Sequence, residues 1–149
     1  MKIWKDDLSL DDINNFSSNT MVSLLGIEYT EYGDDYLKAV MPVSEKTSQP
    51  MGFLHGGASC TLAETVASAA GNLCCSPDCF CKGYEVNCVH VHSAVIGETV
   101  EAVARPFHLG RRMQTWQVDI SNKKTEKLIC RATVSLVVCS KAELESVRR

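Results

Sequence analysis

Apolar and polar positions follow two different periods along this chain, and the change between them outlines its elements. From residue 56 to 73, Leu62, Ala63, Val66, Ala69, Ala70 and Leu73 recur at helical spacing, and Ala and Ser fill most other positions. A helix apolar almost all round is expected to be buried. Two shorter helices precede it. Ser9 is placed to cap residues 10–16, with Leu10, Ile13 and Phe16 on the packing side, and residues 20–25 form a turn of helix closed by Gly26. Elsewhere the period is two. Residues 27–32 and 36–43 predict strands around Gly33-Asp34-Asp35, the second alternating Leu37, Ala39 and Met41 with Lys38 and Val40. Residues 83–93 place Tyr84, Val86, Cys88 and His90 on one face, and residues 99–106 and 113–121 predict two more strands. A last strand, 128–139, alternates Leu128, Cys130, Ala132, Val134, Leu136 and Val138 with Arg131, Thr133 and Ser135, and residues 142–149 read as a charged, fraying tail. Two strands, one long helix and four strands predict an α+β domain over residues 1–149, an antiparallel sheet wrapped around a central helix.

Composition narrows the class. The 149 residues are 45% apolar and 22% charged, values of an ordinary globular domain. A net charge of −3 argues against nucleic acid as partner, and no segment is long and apolar enough to span a membrane. The N-terminal run has no apolar signal core, so a cytoplasmic protein is expected. Cys74, Cys75, Cys79 and Cys81 crowd a Ser-Pro-Asp turn, but their spacing lacks the two separated pairs of a structural zinc site. Free thiols are expected there, and no metal.

Between His55 and Pro77 the only formally charged side chain is Glu64. A carboxylate in so apolar a helix has either a hidden partner or a chemical role. The helix opens with His55, Gly56 and Gly57. Unpaired N–H groups at a helix start can hold developing negative charge, so this turn suits an oxyanion hole as well as an ordinary loop-to-helix turn. His55 and Glu64 are nine residues apart, about 13 Å along one helix, so they cannot both reach one carbonyl from the same copy. Two antiparallel copies crossing near Cys60 would bring them together, with Ala58, Ser59, Ala63 and Ala67 permitting close approach. Ser68 shares a helix face with Glu64, to orient it or to bond the preceding turn. Gln49 either donates to a substrate carbonyl or closes its loop.

The run Gln49-Pro50-x-Gly52-x-Leu54-His55-Gly56-Gly57-Ala58-Ser59-x-x-Leu62-Ala63-Glu64 resembles the hotdog-fold acyl-CoA thioesterases. It is most similar to the menaquinone-pathway enzymes that hydrolyse 1,4-dihydroxy-2-naphthoyl-CoA, with phenylacetate-pathway thioesterases as relatives. Gly83-x-Glu85-x-Asn87, His90-Val91-x-Ser93-Ala94 and Pro106-x-His108-Leu109-Gly110 extend the likeness along nearly the whole chain. The resemblance implies a hotdog domain, a dimer of dimers, and no metal or organic cofactor. It implies Glu64 as nucleophile or general base, with Gln49, His55 and the Gly56 N–H polarising the carbonyl and Ser68 as the helix serine. It implies CoA contacts at Gly83, His90, Val91, His92, Ser93, His108, Leu109, Gly110 and Arg111. His92 stands where close relatives commonly carry Arg, and an imidazole holds a phosphate less firmly than a guanidinium. The expected reaction is hydrolysis of an aromatic acyl-CoA. The alternatives are a broader aryl- or phenylacetyl-CoA range and a non-catalytic acyl-CoA binder, and Met21, Phe53 and Leu54 are candidates to line the acyl pocket.

Overall fold

The computed structural model describes residues 1–143, and residues 144–149, which hold most of the expected tail, lie outside the described part. Its elements are α1 (Leu10–Phe16), α2 (Met21–Leu24), β1 (Glu28–Tyr32), β2 (Leu37–Pro42), α3 (Gly56–Leu73), β3 (Cys79–His90), β4 (Thr99–Leu109), β5 (Met113–Asn122) and β6 (Leu128–Ser140). The strands form one sheet in the order β1-β2-β4-β5-β6-β3, every neighbouring pair antiparallel. Helix α3 packs against five strands, β2 to β6, the α+β hotdog arrangement expected from the sequence.

The period-two positions become rows across the sheet. Leu37, Ala104, Val118 and Ala132 face one another in successive strands, as do Ala39, Ala102, Ile120 and Cys130. All eight are fully buried beneath the helix in one core. The helix answers with Ser59, Ala63, Ala67 and Gly71, a ridge of small residues at every fourth position, flanked by Leu62, Val66 and Ala70. At Gly71 the fit is closest, since a Cβ there would lie 2.4 Å from Leu136 Cδ1 and 2.9 Å from Gln114 Oε1. The Gln114 amide donates to the Gly71 carbonyl at 3.3 Å and accepts from Trp116 Nε1 at 3.0 Å, so the largest core side chain has its one polar atom satisfied.

Several expectations need correction. Helix α3 is not buried all round, because Gly57, Glu64 and Asn72 are exposed. Ser59, Ala63 and Ala67 are covered by the chain's own sheet and are not free to meet a second helix. Strand β3 starts at Cys79 and stops at His90, leaving Val91, His92 and Ser93 in a loop. A bulge between Gly83 and Glu85 breaks its alternation, so Tyr84 is exposed while Val86 and Cys88 turn partly inward. Strand β4 passes Pro106 to Leu109 with a second bulge before His108. Leu10 and Ile13 pack on the core, but Phe16 is 91% exposed.

The first residues, unremarked in the sequence, are pinned down. Trp4 is buried and donates from Nε1 to the Gly33 carbonyl at 2.7 Å, and the Lys5 N–H donates to the Leu73 carbonyl. Asn14 of α1 bonds both main-chain groups of Tyr29, so it docks the helix on the sheet edge in the way another strand would.

The ridge makes a direct prediction. Gly71→Val adds a branched side chain where even one carbon overlaps Leu136, and overpacking of this kind costs about 1–3 kcal/mol. Urea unfolding of the variant is expected to shift to a lower midpoint with an unchanged slope.

Candidate functional site

Two groups of residues stand out on the open side of α3, and one chain keeps them apart. The first surrounds Glu64. With Thr61, Thr65 and Ser68, it forms the α3 wall of a cavity of about 750 Å³, closed on the other side by Ile13, Phe16, Met21 and Val22 of the N-terminal helices. This falls in the size range of small-molecule sites and is mostly apolar. Tyr29 lies at its edge, buried, with its hydroxyl donating to the Thr65 carbonyl at 3.4 Å. Burial pushes its phenol up to about 12, so it stays a neutral donor.

Gly83 sets the position of Glu64. A Cβ built on Gly83 would lie 2.0 Å from Glu64 Oε1, so the carboxylate occupies the space a side chain would need. The bulge beside Gly83 bends β3 locally, at the point where the strand meets the carboxylate. By resemblance Gly83 is expected to contact CoA, and the structure adds that its missing side chain leaves room for the Glu64 carboxylate.

The second group lies at the start of α3. His55 is the N-cap, its Nδ1 accepting from the Gly57 N–H at 2.8 Å. A nitrogen that accepts carries no proton, so a neutral ring holds it on Nε2, free to donate. The Gly57 N–H is thereby used, whereas the Gly56 N–H has no bond among the described residues. Of the two glycines, Gly56 supplies the open donor, reinforced by the positive end of the helix dipole. His90 packs over this turn, its Nε2 at 3.1 Å from the point a Gly56 Cβ would take. Gln49 does close its loop: its Oε1 accepts from the Met51 N–H and its carbonyl from the Gly52 N–H, while its Nε2 has no partner among the described residues.

The remaining CoA candidates fall at opposite ends of the sheet. His90 pairs with Cys130 and Gly83 with Leu136, six residues further along β6, which is about 20 Å of strand. Val91, His92 and Ser93 continue from His90 and are exposed, whereas His108, Leu109, Gly110 and Arg111 form the β4–β5 turn level with Gly83. His108 lies against Gly110, and Arg111 and Arg112 are exposed. His92 directs Nδ1 to the Leu128 carbonyl at 2.8 Å, which requires a proton there and leaves Nε2 an acceptor unless the ring is charged. That geometry suits a phosphate poorly. Met21 lines the cavity, but Phe53 and Leu54 do not. Ile13, Val22 and Tyr29 were not among the sequence candidates. Ile13 showed only as the packing side of a short helix, and no local pattern announces a chamber made with a helix fifty residues away. Among the described residues, no three His, Cys, Asp or Glu side chains converge as metal ligands, and no helix is long and apolar enough to cross a membrane.

The chain is similar to known proteins over most of its length. The model of the thioesterase superfamily matches residues 51–129. A protein of Pasteurella multocida with the provisional name esterase is 43% identical over 91% of this chain and 96% of that one. The 1,4-dihydroxy-2-naphthoyl-CoA hydrolase of Escherichia coli K12 is 42% identical over 91% of this chain and 98% of its own. The crystal structure of the Haemophilus influenzae thioesterase HI1161 matches with a TM-score of 0.89 at 41% identity, covering 93% of this chain and 95% of that one. This chain belongs to the thioesterase superfamily, and it is a thioester hydrolase of the hotdog fold.

Gly83→Ala is therefore expected to displace the Glu64 carboxylate without touching the core. Misplacing a reacting group by about 1 Å can cost about 10²-fold, so with Glu64 in the role proposed below thioester turnover should fall by that order while the thermal melt stays near wild type. A crystal structure of the variant checks the cause.

Proposed function

We propose that this thioesterase hydrolyses an aromatic acyl-CoA, 1,4-dihydroxy-2-naphthoyl-CoA of menaquinone biosynthesis, to the free acid and CoA in the cytoplasm. The observation that carries the reading is the apolar cavity walled by Glu64, in a chain 42% identical to a hydrolase of that name. The acyl group enters the cavity between α1–α2 and α3. Glu64 supplies the attacking electron pair, on the carbonyl carbon itself or by taking a proton from water. The Gly56 N–H, His55 Nε2–H and Gln49 Nε2–H stabilise the oxyanion. The thiolate is a good leaving group, so the step needs no strong acid.

This chemistry calls for two copies. In one chain, Gly56 lies against His90 and Glu64 against Gly83. Midway between Gly56 and Glu64 is Cys60, and midway between Gly83 and His90 is the Val86–Asn87 step. A two-fold axis through both midpoints carries each half-site onto the other, and Glu64 then meets Gly56 of the partner subunit. Strand β3 supports the same axis. It is a twelve-residue edge with one side unpaired among the described residues, bearing the exposed Tyr84 and Val89, and it can pair with its own copy. The same operation brings the His90–Ser93 loop of the partner subunit level with His108–Arg111 across β3, β6 and β5, about 19 Å away, and CoA spans that distance. Two such dimers form the tetramer.

A broader aryl- or phenylacetyl-CoA range has one observation in its favour. Exposed Phe16 and Met21 form part of the cavity wall, and unbranched Met adapts to many shapes. A panel of acyl-CoAs assayed by free-thiol release separates the two, a naphthoyl preference supporting the first and equal rates on phenylacetyl-CoA the second.

Glu64→Gln should lower turnover by about 10²–10⁴-fold with the fold intact. Co-expressed Glu64→Ala and His55→Ala chains, each inactive alone, should recover activity because a mixed dimer rebuilds one complete site. Failure of mixed dimers to recover any activity would remove the shared site. A monomer in light scattering with full turnover would do the same.

A further inference from the structure

The cysteines at the end of α3 have no part in this chemistry, yet two of them are in contact. Cys75 Sγ lies 3.2 Å from Cys81 Sγ. Cys75 follows the last turn of α3 and Cys81 is the third residue of β3, buried against the core. We propose that Cys75 and Cys81 form a reversible disulfide that fastens the end of α3 to β3 at the floor of the cavity.

The positions are held by one residue, Asn72. Asn72 Oδ1 accepts from the Cys81 N–H at 2.9 Å, and Asn72 Nδ2 donates to the Cys81 carbonyl at 3.1 Å. The Asn72 carbonyl also accepts from the Cys75 N–H at 3.1 Å. Asn72 therefore fixes both cysteines, and with its neighbour Leu73 it lines the cavity. A disulfide bond is about 2.05 Å long, so the sulfurs need to close by about 1.2 Å.

The two thiols are unequal. Cys81 is buried, while Cys75 is half exposed and has the Gln114 Nε2–H beside its sulfur at 3.9 Å. Burial raises both thiols above the usual cysteine range, and the Cys75 contact raises Cys81 further. Cys75 is the first to react, slowly, as fits a structural fastening more than a rapid sensor. With a peroxide as oxidant, the Cys75 thiolate attacks one peroxide oxygen. The O–O bond breaks, the departing hydroxide takes a proton to become water, and Cys75 is left as a sulfenic acid. Cys81 sulfur then attacks Cys75 sulfur, the S–O bond breaks, and a second water leaves. The sulfurs together lose two electrons and the peroxide gains them.

The test treats the whole reduced protein with hydrogen peroxide, blocks remaining thiols by alkylation and maps peptides without reduction. Mapping is essential because Cys88 is also in contact with Cys60 and Cys130. The expected result is a Cys75–Cys81 linked pair, released by dithiothreitol, with a higher melting temperature for the oxidised protein than for the reduced one. Cys75→Ser, a change at a half-exposed site, should lose both the link and the rise in melting temperature. Recovery of Cys75 and Cys81 as separately alkylated thiols, or linked only to other cysteines, would overturn the proposal, whatever the acyl specificity proves to be.

Discussion

The closeness of α3 to the sheet governs the rest of this molecule. It depends on a ridge with almost no side chain, Ser59, Ala63, Ala67 and Gly71, laid over rows that are themselves rich in alanine. Small groups on both surfaces bring many atoms within van der Waals range, and apolar burial scales with the area so covered. The contact is narrow enough that Gly71 has no room for a single extra carbon. The Trp116–Gln114–Gly71 chain satisfies the polar atoms at one end of the ridge, while at the other end Ser59 Oγ is buried with no hydrogen-bond partner among the described residues.

That packing also decides which side of the helix is left for chemistry. Once the small ridge faces the sheet, the 3.6-residue period turns Glu64 and Gly57 outward, with Ser68 on the cavity wall. Strand β3 is pulled in the same direction. Its bulge at Gly83 is a local break in alternation, and the carboxylate fills the space it leaves. The N-terminal helices complete the chamber. Asn14 holds α1 to Tyr29 by imitating a strand, which fixes the cavity wall without adding a seventh strand.

The scaffold separates the polarising turn from the carboxylate, as the length of a helix requires. A division of this kind makes assembly part of the proposed chemistry, since one surface provides each half and symmetry provides the second copy. Both glycines in this scheme serve close approach. Gly56 leaves an N–H uncovered beneath His90, and Gly83 leaves room for a carboxylate.

Much of this was legible in the residues. The bounds of α3, the cap Ser9, and the alternation of β2, β5 and β6 follow from periods and hydrogen-bonding preferences that act over a few residues. The isolated charge of Glu64 and the turn at His55, nine residues earlier, stand out as candidates in the residues, and their separation follows from helical rise alone. The role of the small ridge did not, because Ala63 and Ala67 suit a neighbouring helix as well as a sheet. Nor did the inward turn at Gly83, the outward Tyr84, the cavity between α1 and α3, or the meeting of Cys75 with Cys81. Each is set by register between segments far apart in sequence, where a one-residue bulge reverses which side chains meet. Sequence determined the elements and the candidate groups; tertiary packing alone decided which faces they turn to one another.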